Sequence, residues 1–151
     1  MLLVTACAAL LGCGGDDTLA TVALFDVEAD LTNPEQFFQR PFPSDLRLTA
    51  KGQPDLAGFP NPENNDVVAG LLTVAADRPG WPVIPTAYFR FSAPLRQLDS
   101  SDVVMPAAGA PYLLIDLDEP SSAYPTVALT LTKDNYVPEN LIAVAAAPGF
   151  V

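Results

Sequence analysis

Sixteen prolines are spread along this chain of 151 residues, and they set the first limit on its fold. Each one fixes φ and removes a backbone donor, which argues against long helices and for short strands joined by turns. One helix is expected. Asn61-Pro62-Glu63-Asn64-Asn65-Asp66 offers Asn or Asp as a cap. Val67, Val68, Leu71, Leu72 and Ala75 then form a stripe at helical spacing, and Asp77-Arg78-Pro79-Gly80 ends it. Beyond that point the apolar period becomes two. Residues 86–92, 112–118 and 126–132 alternate, and 141–146 read as a fourth strand. On this pattern Phe89, Phe91, Ile115, Leu129 and Leu131 are expected on the inward faces, sharing one core, with Tyr88 and Ala128 outward. The expected fold is mainly β: an antiparallel sandwich with one short helix. Pro148-Gly149-Phe150-Val151 reads as a turn into a further strand, so the domain is expected to be incomplete at its C-terminus.

The N-terminal residues carry a different signal. The apolar run ends in Leu10-Leu11-Gly12-Cys13 and gives way at once to Gly14-Gly15-Asp16-Asp17. A small residue before a cysteine, closing an apolar run, is the pattern at which a bacterial lipoprotein signal peptide is cut and the new N-terminal thiol acylated. Residues 1–12 are therefore expected to be the signal peptide, 13–20 a tether and 21–151 the β-rich domain, with Cys13 lipidated. Val4-Thr5-Ala6-Cys7 also fits the pattern but leaves almost no apolar run before it. No Lys or Arg precedes the run, where a basic start is usual, so the expectation is either that Met1 is not the true start or that the chain is a fragment missing its first residues. Gly14 lacks the acidic character of an inner-membrane retention signal, which points to the outer membrane of the cell envelope. A run of this length is too short to span a bilayer, which takes ~20 residues.

Composition narrows the chemistry. Eighteen acidic against seven basic residues give a net charge of −11, so nucleic acid is not an expected partner. With no histidine, and with Cys7 in the discarded segment, a zinc site is not expected, nor is a cofactor. No Gly-x-Ser-x-Gly occurs, and without histidine no Ser-His-Asp triad can be assembled.

Residues 33–55 read as a loop, because Asn33-Pro34, Arg40-Pro41, Phe42-Pro43 and Gln53-Pro54 each hold the preceding residue out of helical space. Phe37, Phe38 and Phe42 are still expected to be buried, pinning the loop across the core. Within it, Arg40-Pro41-Phe42-Pro43-Ser44-Asp45-Leu46, a short way after a lipobox, resembles the N-terminal domain of the bacterial virulence-factor lipases. The resemblance implies a β-rich, non-catalytic surface-lipoprotein domain placed before an α/β-hydrolase domain in the same polypeptide. It implies that none of the hydrolase's catalytic residues lies here. Tyr88-Phe89-Arg90-Phe91-Ser92-Ala93-Pro94-Leu95 is similar to the first strand of bacterial Ig-like domains, which implies an Ig-like sandwich.

The candidate residues admit competing readings. Pro41, Phe42, Pro43 and Asp45 are expected to be structural: Phe42 as a core anchor between two φ-restricted prolines, Asp45 as a turn cap. Asp116 and Asp118 on one strand face, with Glu119 beside them, form an oxygen set able to hold Ca²⁺, or else a solvated outer face. As a glycosidase pair they lack any sign of flanking a cleft. Trp81 with Tyr88 forms either a small aromatic binding patch or a plug at the end of the core. Three functions follow: an accessory or binding domain before a lipase-like hydrolase, a stand-alone lipoprotein binding a partner or ligand, and a carboxylate-only hydrolase.

Overall fold

A computed structural model describes residues 20–149. Among them the strands are β1 (Ala87–Arg90), β2 (Val103–Val104), β3 (Leu114–Ile115), β4 (Ala123–Tyr124), β5 (Thr126–Thr130) and β6 (Leu141–Ala146). One helix, α1 (Asp66–Ala76), and two single turns of 3-10 helix, Phe37–Gln39 and Asp45–Arg47, complete the regular structure. The fold is mainly β, its strands antiparallel, with a single short helix. Four strands form one sheet in the order β1, β6, β5, β2, while β3 and β4 pair by themselves. No helix among the described residues is long and apolar enough to cross a membrane.

The helix starts where its cap is. The Asn65 side chain accepts from the amides of Val67 at 2.9 Å and Val68 at 3.4 Å, satisfying two of the donors that a first turn leaves unpaired. The sheet is organised by β6, which lies between β1 and β5. Its residues Leu141 and Ile142 are consecutive and therefore point to opposite faces, yet they are only 1% and 5% exposed. Both faces of the sheet are covered at this end. That explains why Leu141–Ala146 is apolar throughout instead of alternating.

The register corrects the expected core. Phe89 pairs with Ile142, which pairs with Thr130, so these three share one face. Tyr88 pairs with Ala143, which pairs with Leu129, and that row lies on the other face. Phe89 and Leu129 are thus on opposite sides. Alternation within one strand identifies its two faces but cannot say which of them matches a face of another strand. An all-apolar strand between the two gives no further clue. Ala128, expected outward, is buried, as is Thr126, whereas Leu129 is 38% exposed and Ile115, in the separate hairpin, 46% exposed. Leu131 does join the core, next to Leu141.

That core is aromatic and is built mainly by the loop. Phe37, Phe38 and Leu141 are buried at its centre, with Phe42, Phe59, Tyr88, Leu131 and Val137 packed around them. The Phe37 ring lies 5.1 Å from Phe38, 5.1 Å from Phe42 and 5.2 Å from Phe59, mostly edge to face. The loop also closes the outer edge of β1. Phe42 donates to the Tyr88 carbonyl at 3.0 Å and accepts from the Tyr88 amide at 2.6 Å. Further along, Leu24 donates to the Arg90 carbonyl at 2.8 Å, and Ser92 to that of Val22 at 3.0 Å. An edge that would otherwise expose unpaired backbone is thereby covered. Residues 21–27 form no regular strand; besides this bridge, Asp26 donates to the Gln39 carbonyl at 2.8 Å and its own carbonyl accepts from Arg40 Nε at 3.0 Å. At Gly58 the backbone turns with φ +73°, and a Cβ would stand 2.3 Å from the Leu31 carbonyl oxygen. No other residue fits there.

Candidate functional site

The Pro41-Phe42-Pro43 segment packs against the aromatic core. Phe42 is half-buried between Phe37, Phe59, Trp81 and Tyr88, and its bond to Pro43 is cis. The cap is Ser44 rather than Asp45. The Ser44 hydroxyl oxygen accepts from the Leu46 amide at 3.3 Å, and Asp45 sits exposed in the first turn of the 3-10 helix. Extended φ and ψ at Ser44 put its short side chain over the turn, the geometry an N-cap requires.

One residue next to this segment was not singled out from the sequence. Arg47 is only 3% exposed. Its guanidinium donates through Nε to the Asp55 carbonyl at 3.0 Å and through Nη2 to the Ala57 carbonyl at 2.7 Å. It also lies 4.0 Å from the centroid of the Phe37 ring, in cation–π range. Nη1 is buried without a partner. Desolvation pulls the Arg47 pKa down, opposed by the charge of Asp55. An arginine in a proline-rich loop usually lies at the surface, and no neighbouring residue marks this one as buried.

Asp116, Asp118 and Glu119 are not gathered on a strand face. Strand β3 ends at Ile115, and the three fall in the turn beyond it. There Asp116 Oδ1 accepts from the Asp118 amide at 2.9 Å and the Glu119 amide at 3.4 Å, so this carboxylate is engaged in holding the turn. Among the described residues, no three His, Cys, Asp or Glu side chains group as a metal ion needs. Cys13 lies outside the described residues.

Two concavities flank the aromatic core. The larger, about 1130 Å³, is lined by polar groups including Gln39, Arg90, Lys133, Tyr136 and Glu139. Several of these are bonded to one another or to Glu63. Lys133 and Glu139 meet at 2.6 Å, and Glu63 accepts from Asn135 at 2.9 Å and from the Tyr136 hydroxyl at 3.2 Å. Lys133 holds the Glu139 carboxyl below its usual range, and burial together with Glu63 pushes the Tyr136 phenol up. Lys133, Glu139, Asn135 and Tyr136 are thus engaged with one another or with Glu63.

The second is a groove of about 860 Å³ between α1 and the aromatic loop. Val68, Leu71, Leu72 and Ala75 form one wall, and Phe42, Phe59, Trp81 and Tyr88 form the other. Trp81 and Tyr88 thus line the same groove, each packed against Phe42. Trp81 packs edge-on against Phe42, with ring centroids 5.3 Å apart. Tyr88, expected on a polar face, turns instead toward the aromatic core. No residue of α1 is buried, although the helix is apolar almost all round. Such a helix normally lies inside a protein. Leu71 is 65% exposed, and Val83 on the neighbouring proline-rich strap 94%. The stripe read from the sequence therefore lines an open groove instead of packing into a core. Comparison with known proteins finds no matching family model, no matching curated protein and no matching solved structure.

Proposed function

We propose that this chain is a non-catalytic binding domain of a cell-envelope lipoprotein. In this reading it is anchored to the outer membrane through Cys13 and stands before a lipase-like hydrolase domain in a longer polypeptide. The observation that carries the binding role is the open groove between α1 and the aromatic loop. A soluble protein rarely leaves a contiguous apolar surface uncovered unless something docks on it. The chemistry-bearing residues of the loop support a structural role for the motif, since the Ser44 hydroxyl caps a turn and Arg47 braces carbonyls. The anchor rests on Leu10-Leu11-Gly12-Cys13.

The anchor has a direct test. Expressed in a Gram-negative host fed labelled palmitate, the protein is expected to take up label and to fractionate with membranes. Lipoproteins carry more than one acyl chain, enough for stable retention where a single chain is marginal. Cys13→Ser is expected to abolish labelling and release the protein to the soluble fraction. Undiminished labelling of the serine variant would contradict the assignment.

A further inference from the structure

The residues lining the groove are unlike the rest of the chain in charge. The protein carries 18 acidic residues, yet no Asp or Glu lines the groove, and its one ionisable cation is Arg78. The single ion pair among the described residues, between Lys133 and Glu139, lies elsewhere. The walls are aliphatic on the helix side and aromatic on the loop side. In the aromatic wall, the indole N–H of Trp81 is shut off from solvent and has no acceptor. The volume falls within the range of about 300–1000 Å³ in which proteins enclose small ligands. Apolar walls and a single cation fit a molecule with one long apolar chain and one anionic head.

We infer that the groove binds a long-chain fatty acid, its hydrocarbon chain lying between α1 and the aromatic wall and its carboxylate at Arg78. The inference rests on the reading of the groove as a binding surface and adds the class of ligand. The hydrocarbon is taken from water by Val68, Leu72, Ala75, Phe59 and Trp81, which supplies the affinity. Arg78 supplies the preference for an anion: its guanidinium presents a planar pair of donors to a carboxylate. In a chain repelled by anions elsewhere on its surface, a cationic rim beside apolar walls singles out this position. A second protein docking here is the competing occupant, and it has no requirement for a single cation in an otherwise apolar lining.

Trp81 is the only tryptophan, so its fluorescence reports on this site alone. The experiment uses the full chain with Cys13→Ser, so that no acyl anchor competes for the groove. Dodecanoate and its uncharged methyl ester are titrated below their aggregation concentrations, followed by Trp81 emission and independently by calorimetry. Dodecanoate is expected to bind saturably at one site per chain. Arg78→Gln is expected to weaken it about five-fold, the scale of an exposed charge contact, without changing the affinity for the ester. Ala75→Phe, which fills the groove from an exposed helix position, is expected to abolish both. Binding of both probes with no effect of Arg78→Gln would overturn the fatty-acid assignment and leave the groove a general apolar surface. Binding of neither would overturn the fatty-acid assignment and leave the groove to the competing occupant, a second protein.

Discussion

Phe37→Ala is expected to destabilise the protein by about 3–5 kcal/mol, the range for emptying a fully buried phenylalanine site. Phe37 has no exposed surface and is the ring that the others share: Phe38, Phe42 and Phe59 all pack on it, and Arg47 lies on its face. Removing it leaves three rings facing a void and takes away the support under a buried cation. The neighbours cannot collapse freely. Phe42 is tied to β1 through two backbone hydrogen bonds, and the Arg47 guanidinium to two carbonyls. Since whole domains are stable by only ~5–15 kcal/mol, this loss is a large share of the total. Chemical denaturation reads the change directly. A loss under ~1 kcal/mol would place the core elsewhere.

Arg47→Met is expected to have the second largest effect, a loss of about 2 kcal/mol. Methionine keeps much of the stem and the apolar contact with Phe37. It removes two part-buried hydrogen bonds from a charged donor to the carbonyls of Asp55 and Ala57, a class of bond worth ~1.5–3 kcal/mol. The native arginine already bears a desolvation cost, with Nη1 unpartnered, so part of the loss is offset. Arg47→Lys tests the cause. An ammonium cannot reach two carbonyls in the fixed geometry of a guanidinium, so lysine is expected to rescue less than half of the loss. A lysine variant as stable as wild type would show that the charge, and not the fork, is what the site requires.

Much of the local structure is legible in the sequence because local rules decide it. The bounds of β6 coincide with the apolar run, and α1 begins at an asparagine cap and ends at the Asp77-Arg78-Pro79 stop. The aromatics of the proline-rich loop had to be buried somewhere. What the sequence hides is the pairing. The faces of β1 and β5 are related only through β6, and a strand apolar on both sides carries no mark of which face is which. Strands β2 and β4 have two residues each, too short to show a period. Asp45 and Ser44 compete for one cap, and backbone geometry at Ser44 settles it. Asp116 shows the same limit, since a carboxylate that serves a turn and one that faces a ligand look alike as sequence. Arg47 is hidden because its partners are backbone carbonyls, which no residue type identifies. The groove was half visible: the stripe on α1 marks a face that needs cover but does not say whether a core or a ligand supplies it.

The stable core lies at the seam between the sheet and the aromatic loop, while α1 stands outside it as the wall of an open groove. Native-state hydrogen exchange tests this most directly, because protection follows the burial and cooperativity of each segment. The amides of Phe42, Tyr88 and Leu131, bonded across that seam or within the core sheet, are expected to exchange only through global unfolding. Those of Leu71, Leu72 and Thr73, on a helix that buries no residue, are expected to exchange at free energies several kcal/mol lower. Protection of α1 equal to that of Tyr88 and Leu131 would contradict the account, since it would mean that the helix packs into the core and that the groove is closed.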